Sequence, residues 1–533
     1  MKNILKKTSL IKSDKWLLFG SILLFLSLVF GLFIRVVGVV KFSIISGDQI
    51  RDAYATMEIW QGKFPTLGPH SAWKFIWGDF VYLPPLYFYL VFPFTILSSQ
   101  LSIQAFPNAF FTFLSIPLLV AVIYQLLEGI EISKRFFISS LIGFWYSVLV
   151  RNMGMNSGES LAGNPGSIPF FILLFIWLYN YQLSQPKNYV NSVLSWIGYG
   201  IVLAILVSLH FSALFVMPVV FIISCIYWFF KNNRNPKCLV LCLYAVLSSI
   251  ITLLPYWIGE VQRNWINTIG IISLVRNVSS DEEYSLNLWE RIIVIIKSYF
   301  SLGNDIYFLA DSRILLIFSI LSVTFMSLIL LVGLLKFRGN KNIYLIVLAS
   351  SVLFFLAYSS ADQEKTYNPV FYKLLVYCLP LFLTAVSIAY LNISKPLEKI
   401  ILIIIVFALC FSILNNLRLS INYINSHIGK NQILATNTIA EVLDTLPEKS
   451  TFCHPQGLSK NLRLYQYTDQ YVTQKNLKFS DNCTAGDYYM SSKFGLNPSN
   501  FKVYPSKKKK KTVNDKTMTI IKEGSTYYLY QIN

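Results

Sequence analysis

Residues 16–52 read WLLFGSILLFLSLVFGLFIRVVGVVKFSIISGDQIRD. An apolar run ends, and Asp48, Arg51 and Asp52 follow it at once. The run, 16–40, exceeds the ~20 residues that cross roughly 30 Å of hydrocarbon. It is too long for a signal-peptide core and lacks a small-residue cleavage site, so it reads as an anchor. Similar runs recur at 107–127, 314–335 and 400–417. The chain has 533 residues, 55% hydrophobic and 13% charged. A soluble enzyme of this length needs far more surface charge, so the sequence predicts a polytopic membrane protein.

The net charge of +19 sits largely in short loops. Lys2, Lys6, Lys7, Lys12 and Lys15 precede the first run, and basic loops recur at 134–135, 231–237, 336–341 and 395–399. Such loops orient a membrane protein with its basic side in the cytoplasm. No nucleic-acid partner is expected. The parity gives about 11 spans, near 16–40, 106–127, 136–150, 168–183, 189–209, 211–231, 238–258, 313–335, 342–358, 369–391 and 399–418. Segments 41–105, 151–167, 259–312 and 359–368 then lie outside, as does everything beyond about 419. The apolar stretch 84–97 breaks the parity if it spans, so it reads as a juxtamembrane or re-entrant element. Arg35 lies near the outer end of the first span and is expected to snorkel to water.

The expected fold is an all-α polytopic membrane domain over 1–418 with a large first outer loop, 41–105, plus a small C-terminal α/β extracytoplasmic domain over 419–533. The tail shows an amphipathic stretch at 434–446, then strand-like runs at 450–453, 517–521 and 527–530. Of seven cysteines, Cys453 and Cys483 fall in that tail, where a disulfide is chemically permitted. The histidines are scattered and no zinc-like spacing occurs.

A polar outer loop of this length is more than a connector. Within it, 52–61 reads as an amphipathic helix closed by Gly62 and Pro65. Asp48, Arg51, Asp52, Ala55 and Glu58 share a face if that helix begins near Asp48. A carboxylate at the membrane surface can take a proton from an attacking hydroxyl. An adjacent arginine can hold a phosphate. The spacing equally admits an N-cap at Asp48 and a solvated Arg51/Asp52 pair.

In order along the chain, Gly47-Asp48-Gln49, Arg51-Asp52-Ala53, Leu67-Gly68-Pro69 and Pro85-Leu86-Tyr87-Phe88-Tyr89-Leu90 resemble the first outer loop of GT-C class polytopic glycosyltransferases. The branch containing bacterial protein O-mannosyltransferases and the aminoarabinose transferase of lipid A is the most similar. Asn164-Pro165 with Pro169, Leu209-His210-Phe211, Leu254-Pro255-Tyr256 and Tyr372 before Pro380 continue the likeness over roughly 16–390. The resemblance implies transfer of a sugar from a polyprenyl-phosphate carrier to an acceptor hydroxyl, with inversion. It implies Asp48 as general base, with Asp52 or Glu159 assisting. Arg51, Arg263, Lys373 and its neighbour Tyr372 are candidates for the departing lipid phosphate. Relatives often carry a Glu after the catalytic Asp and a Lys before the Pro-Pro pair; Gln49 and Leu83 stand there, and Lys74 is the substitute. His210, Trp77, Tyr82 and Asn164 are candidate substrate contacts, although His210 at a water boundary, aromatic residues in an interfacial belt and snorkelling Arg263 or Lys373 have ordinary structural explanations.

No multi-carboxylate cage marks a metal site, and a divalent metal stays open as a cofactor. The expected partners are a polyprenyl-phosphate sugar, membrane lipids and an acceptor glycan, lipid or protein. The alternative is a transporter or flippase for a lipid-linked solute. That reading calls for ionisable residues near the bilayer midplane and for repeated halves, whereas here the ionisable residues gather at outer helix ends.

Overall fold

The computed structural model describes residues 2–42, 47–74, 80–99, 101–149, 164–183, 189–232, 235–277, 289–290, 292–293, 296, 303–308, 315–359, 378–427, 436–453, 466–480, 486–492, 510–513, 516–523 and 527–532. The helices are α1 (Lys2–Phe42), α2 (Gly47–Glu58), α3 (Leu86–Val91), α4 (Phe106–Leu126), α5 (Ile132–Val148), α6 (Ile168–Leu183), α7 (Tyr189–Leu209) and α8 (Phe211–Lys231). Next come α9 (Pro236–Thr252), α10 (Leu254–Gln262), α11 (Ile266–Asn277), α12 (Leu315–Lys336), α13 (Lys341–Ser359), α14 (Cys378–Tyr390), α15 (Pro396–His427) and α16 (Thr436–Asp444).

Six described helices are long and apolar enough to cross a membrane, and a bent pair adds a seventh. Their lipid-length apolar faces make this a membrane protein. The apolar helices Ile168–Leu183, Lys341–Leu353 and Cys378–Tyr390 are shorter, and 360–377 lie outside the described residues, so fewer full spans stand here than the sequence leads one to expect. Leu86–Ile96 is also short; at 1.5 Å per residue it covers roughly half the hydrocarbon thickness.

The bent pair is a departure from the sequence reading, which runs one span through 238–258. Helix α9 ends at Thr252, and α10 leaves it at 57°. Pro255, in the first turn of α10, cannot donate to a continuing helix and crowds the turn before it. Elsewhere the helices pack closely. Gly200 of α7 lies so near α9 that a Cβ there would stand 2.0 Å from the Ala245 carbonyl oxygen. Trp145, Trp196, Tyr179 and Tyr199 are buried in the bundle core.

Arg35 does not snorkel. It is 2% exposed; its Nε donates to Thr112 Oγ1 of α4 at 3.1 Å and its Nη1 to the Gly31 carbonyl at 3.0 Å. Thr112 of α4 and the preceding turn of α1 itself supply acceptors, while Nη2 has no hydrogen-bond partner among the described residues.

The segment between α1 and α4 carries a two-stranded antiparallel pair, β1 (His70–Lys74) and β2 (Phe80–Tyr82). The tail forms a mixed sheet from β3 (Thr451–Cys453), β4 (Lys478–Ser480), β5 (Tyr488–Ser492), β6 (Lys510–Val513), β7 (Lys516–Glu523) and β8 (Tyr527–Ile532). Its order is β4-β3-β5-β8-β7-β6, with β3 parallel to both neighbours and the other pairings antiparallel. Cys453 is disulfide-bonded. Five other cysteines are free, and Cys483 lies outside the described residues.

Helix α2 belongs to both halves of the molecule. Ile50, Ala53 and Met57 are buried in one core with Ile439, Val442 and Leu443 of α16, Phe452 of β3 and Leu529 of β8. Burying a side chain the size of Ile50 or Met57 contributes about 2 kcal/mol. The opposite face of α2 carries Arg51 and Asp52, and α2 also touches α3.

Candidate functional site

Helix α2 starts at Gly47, earlier than the 52–61 reading. Asp48, Arg51, Asp52, Ala55 and Glu58 therefore stand on one continuous helix with 3- and 4-residue spacing. For Asp48 the backbone alone is described; it lies in the first turn, where peptide N–H groups and the helix dipole favour a carboxylate. Asp52 is 3% exposed. Its Oδ1 accepts from Arg51 Nε at 2.8 Å and pairs with Arg51 Nη2 at 2.7 Å. That is a charge-assisted pair held largely out of water.

Two motifs of the segment between α2 and α4 meet in space. The Gly68 N–H donates to the Leu83 carbonyl at 2.7 Å, and the Leu83 N–H to the Pro69 carbonyl at 3.0 Å. A Cβ at position 68 would lie 2.3 Å from the Pro84 carbonyl oxygen, so Leu67-Gly68-Pro69 closes on Leu83-Pro84 only with glycine in its centre. The clamp directs α3 beneath α2. There Tyr87 is 1% exposed. Its phenol is pushed upward in pKa, first by burial and then by the charge of Asp52, while a hydrogen bond with the Asn108 side chain opposes the shift. Asn108 Oδ1 also accepts from Ser167 Oγ at 2.5 Å, which ties the Asn164–Ser167 turn to the same place.

A second cluster forms across the loop. Asn267 of α11 brackets the Tyr82 backbone: its Oδ1 accepts from Tyr82 N–H at 2.8 Å and its Nδ2 donates to Tyr82 O at 2.9 Å. The Tyr82 ring has His70 edge-on at 6.0 Å and the Arg263 guanidinium carbon 5.3 Å from its centroid. The turn between α10 and α11 is strained, with Asn264 at φ 54° and Trp265 at φ 61°. Glu260, fully buried, accepts on Oε2 from Thr268 N at 2.7 Å and Thr268 Oγ1 at 2.5 Å. Its Oε1 has no hydrogen-bond partner among the described residues. Beside this cluster, Phe64, Leu86, Tyr89, Leu254, Pro255 and Ile258 line an apolar groove of about 470 Å³.

Of the sequence-based candidates, the structure thus brings Arg51 to Asp52 and Tyr82 to Arg263. Lys74 ends β1 and Asn164 opens its 3-10 turn, with backbone alone described. His210 is half-buried at the break between α7 and α8, and loss of solvation pulls its imidazole down to about 4. Trp77, Glu159, Tyr372 and Lys373 lie outside the described residues. Asn108, Asn267 and Glu260 escaped the sequence reading. The two amides were visible as lone polar residues near helix starts, but their partners are distant in the chain. Among the described residues, no three His, Cys, Asp or Glu gather where a metal ion could be held.

No protein-family model and no curated protein sequence matches this chain. Solved structures do. The crystal structure of ArnT from Cupriavidus metallidurans bound to undecaprenyl phosphate aligns over 96% of this chain and 97% of its own, with TM-score 0.52 and 8% identity. ArnT in the apo state aligns over 98% of both chains, with TM-score 0.51 and 9% identity. The archaeal oligosaccharyltransferase AglB from Archaeoglobus fulgidus, in complex with an inhibitory peptide and a dolichol-phosphate, aligns over 85% of this chain and 63% of its own, with TM-score 0.43 and 10% identity. The ArnT alignments run nearly end to end, and this chain shares the ArnT fold.

Proposed function

We propose that this protein is a membrane glycosyltransferase that takes a sugar from a polyprenyl-phosphate carrier and passes it to an acceptor hydroxyl at the outer face. The observation that carries the reading is α2, which places Asp48 one turn before the Arg51–Asp52 pair. The ArnT alignment with undecaprenyl phosphate bound supports a lipid-phosphate donor. So does the apolar groove lined by Leu86, Tyr89, Leu254 and Ile258, which offers a prenyl chain an oily wall.

In this mechanism Asp48 accepts the proton of the acceptor hydroxyl as its oxygen attacks the anomeric carbon. The carbon–oxygen bond to the phosphate breaks on the opposite face, so configuration inverts. The electron pair leaves with the lipid phosphate, where Arg51, Arg263, Lys74 and Lys373 are the candidate cations that meet the growing charge. Asp52 assists by holding Arg51 in place. Glu159 is the other carboxylate proposed to assist Asp48, Tyr372 joins the phosphate-binding set beside Lys373, and His210, Trp77, Tyr82 and Asn164 are proposed as substrate contacts. Placing the basic loops in the cytoplasm puts the C-terminal sheet outside the membrane, over the acceptor.

The test is a panel of undecaprenyl-phosphate sugars offered to the purified full chain in nanodiscs with membrane extracts as acceptor. Release of undecaprenyl phosphate from one donor is the expected result. Movement of a lipid-linked sugar across vesicles, with no donor consumed, would replace this reading by a flippase.

A further inference from the structure

Glu260 sits in the last turn of α10 and is fully buried. None of the ion pairs among the described residues includes it. A carboxylate held out of water without a cation is costly, and hydrogen bonds must hold it there. They come from the first turn of α11: Thr268 N–H and Oγ1 both donate to Oε2, at 2.7 and 2.5 Å. Helix α11 begins at Ile266, so Thr268 is its third residue. Its N–H is one that a helix start leaves without an intrahelical acceptor. Glu260 therefore caps α11 from the preceding helix, at the end where the dipole favours a negative charge.

The backbone of the same residue holds the other side of the corner. Its carbonyl accepts from the Arg263 N–H at 3.2 Å and from the Trp265 N–H at 2.7 Å. Between the helices, Asn264 and Trp265 adopt positive φ, a region that residues other than glycine enter only when their surroundings compel it. Two groups hang on this corner. Arg263 is half-buried, and its guanidinium carbon lies 5.3 Å from the Tyr82 ring centroid. Asn267, the neighbour of Thr268, brackets the Tyr82 backbone at 2.8 and 2.9 Å, and its Nδ2 also donates to Tyr256 Oη at 2.8 Å. Both members of the Arg263–Tyr82 pair are thus tied to the elements that Glu260 joins.

We propose that Glu260 is a positioning residue for Arg263: by fastening α10 to the first turn of α11 it keeps the guanidinium over Tyr82, poised for a lipid phosphate. This rests on the glycosyltransferase reading above. Glu260 is buried and touches no substrate; it acts through Arg263 and, by way of Asn267, through Tyr82. Alanine at 260 takes the acceptor from the Thr268 N–H and hydroxyl and leaves the strained turn free to relax. Glutamine keeps a carbonyl oxygen for the Thr268 N–H.

The experiment measures the affinity of the full chain in nanodiscs for undecaprenyl phosphate, which carries no sugar and so reads the phosphate contact alone. Glu260→Ala is expected to weaken binding by roughly tenfold, and Thr268→Val, which removes one donor, by about threefold. Glu260→Gln is expected to bind better than Glu260→Ala. In a protein already weakened by Arg263→Ala, neither Glu260→Ala nor Thr268→Val is expected to cost more, because the group they position is gone. Thr268→Val stays informative if Glu260→Ala does not fold. Three results would overturn the proposal while leaving the glycosyltransferase reading intact: equal losses in the wild-type and Arg263→Ala backgrounds, full affinity in Arg263→Ala, or Glu260→Gln no better than Glu260→Ala. A wild-type protein that does not bind undecaprenyl phosphate overturns that reading and this inference with it.

Discussion

The two ends of the helical bundle are both polar, but they use their polar groups differently. At the end bearing the basic turns, the charged and amide groups satisfy one another, while Trp196 Nε1, Trp228 Nε1 and the Tyr344 hydroxyl have no hydrogen-bond partner among the described residues. Asn180 donates to Gln125 at 2.9 Å and accepts from Asn340 at 2.8 Å. Glu398 receives Lys336 at 2.6 Å on Oε1 and the Asn392 N–H at 2.8 Å on Oε2. Such closed networks staple helix ends together. The opposite end keeps capacity in hand: Arg263 rests over a ring beside an apolar groove, and the buried Glu260 Oε1 has no partner among the described residues. Unsatisfied neutral groups occur at both ends, so what separates them is that the charged groups are paired at the basic end, whereas the opposite end buries a carboxylate oxygen without a partner among the described residues.

Variants at the two ends should therefore separate turnover from stability. After Asp48 itself, the largest effect is expected from Asp52→Asn, which frees Arg51 from its anchor. Misplacing a binding group by about 1 Å can cost on the order of 100-fold in rate, and steady-state release of undecaprenyl phosphate measures it. Asn267→Ala removes the bracket on Tyr82 and leaves its N–H unpaired, a cost of about 1–3 kcal/mol. About a tenfold rise in KM for the lipid donor is expected, with a smaller change in kcat. A larger change in kcat than in KM would move Asn267 from the donor-binding side to the reacting centre.

A third effect depends on pH. His210 lies outside the adjoining spans Tyr189–Leu209 and Ala213–Lys231, and its folded-state value near 4 lies below the ordinary histidine value of about 6.5. The unfolded chain therefore binds its proton first. Stability from the neutral imidazole is complete above about pH 6.5 and is lost as pH falls toward 4. The unfolding midpoint of wild type should fall over this window more than that of His210→Gln, and parallel curves would count against the burial of this ring. The smallest effect belongs to the sealed end. Lys336→Ala, at a half-exposed pair, should lower stability by no more than about 1 kcal/mol and leave turnover unchanged.

Much of the fold could be read from hydrophobic runs alone, because lipid imposes length and apolarity on each helix independently of its neighbours. The tail helix and three of its strands lie where local pattern puts them, since 436–444, 451–453 and 516–532 alternate or repeat with the right period. What escaped the sequence depends on partners far along the chain. The bend between α9 and α10 interrupts a run whose composition does not change. Arg35 points inward because α4 happens to offer Thr112. The α2 helix announced its charged face by spacing, yet nothing local says that its other face, Ile50, Ala53 and Met57, completes the core of the C-terminal sheet. The candidate site shows the same division: Asp48, Arg51, Asp52 and Arg263 stand out as charges in an apolar chain, whereas Asn108 and Asn267 acquire meaning from residues 21 and 185 positions away, Tyr87 and Tyr82.

The most direct test of the account is Asp48→Asn. Asparagine keeps the shape of the side chain and its preference for a helix start but cannot take a proton. With an undecaprenyl-phosphate sugar that the wild type consumes, the variant should bind donor with near-normal affinity. Its release of undecaprenyl phosphate should fall by roughly 100- to 10,000-fold. Turnover at the wild-type rate in a stably folded Asp48→Asn protein would contradict Asp48 as the base and remove the chemical role assigned to α2.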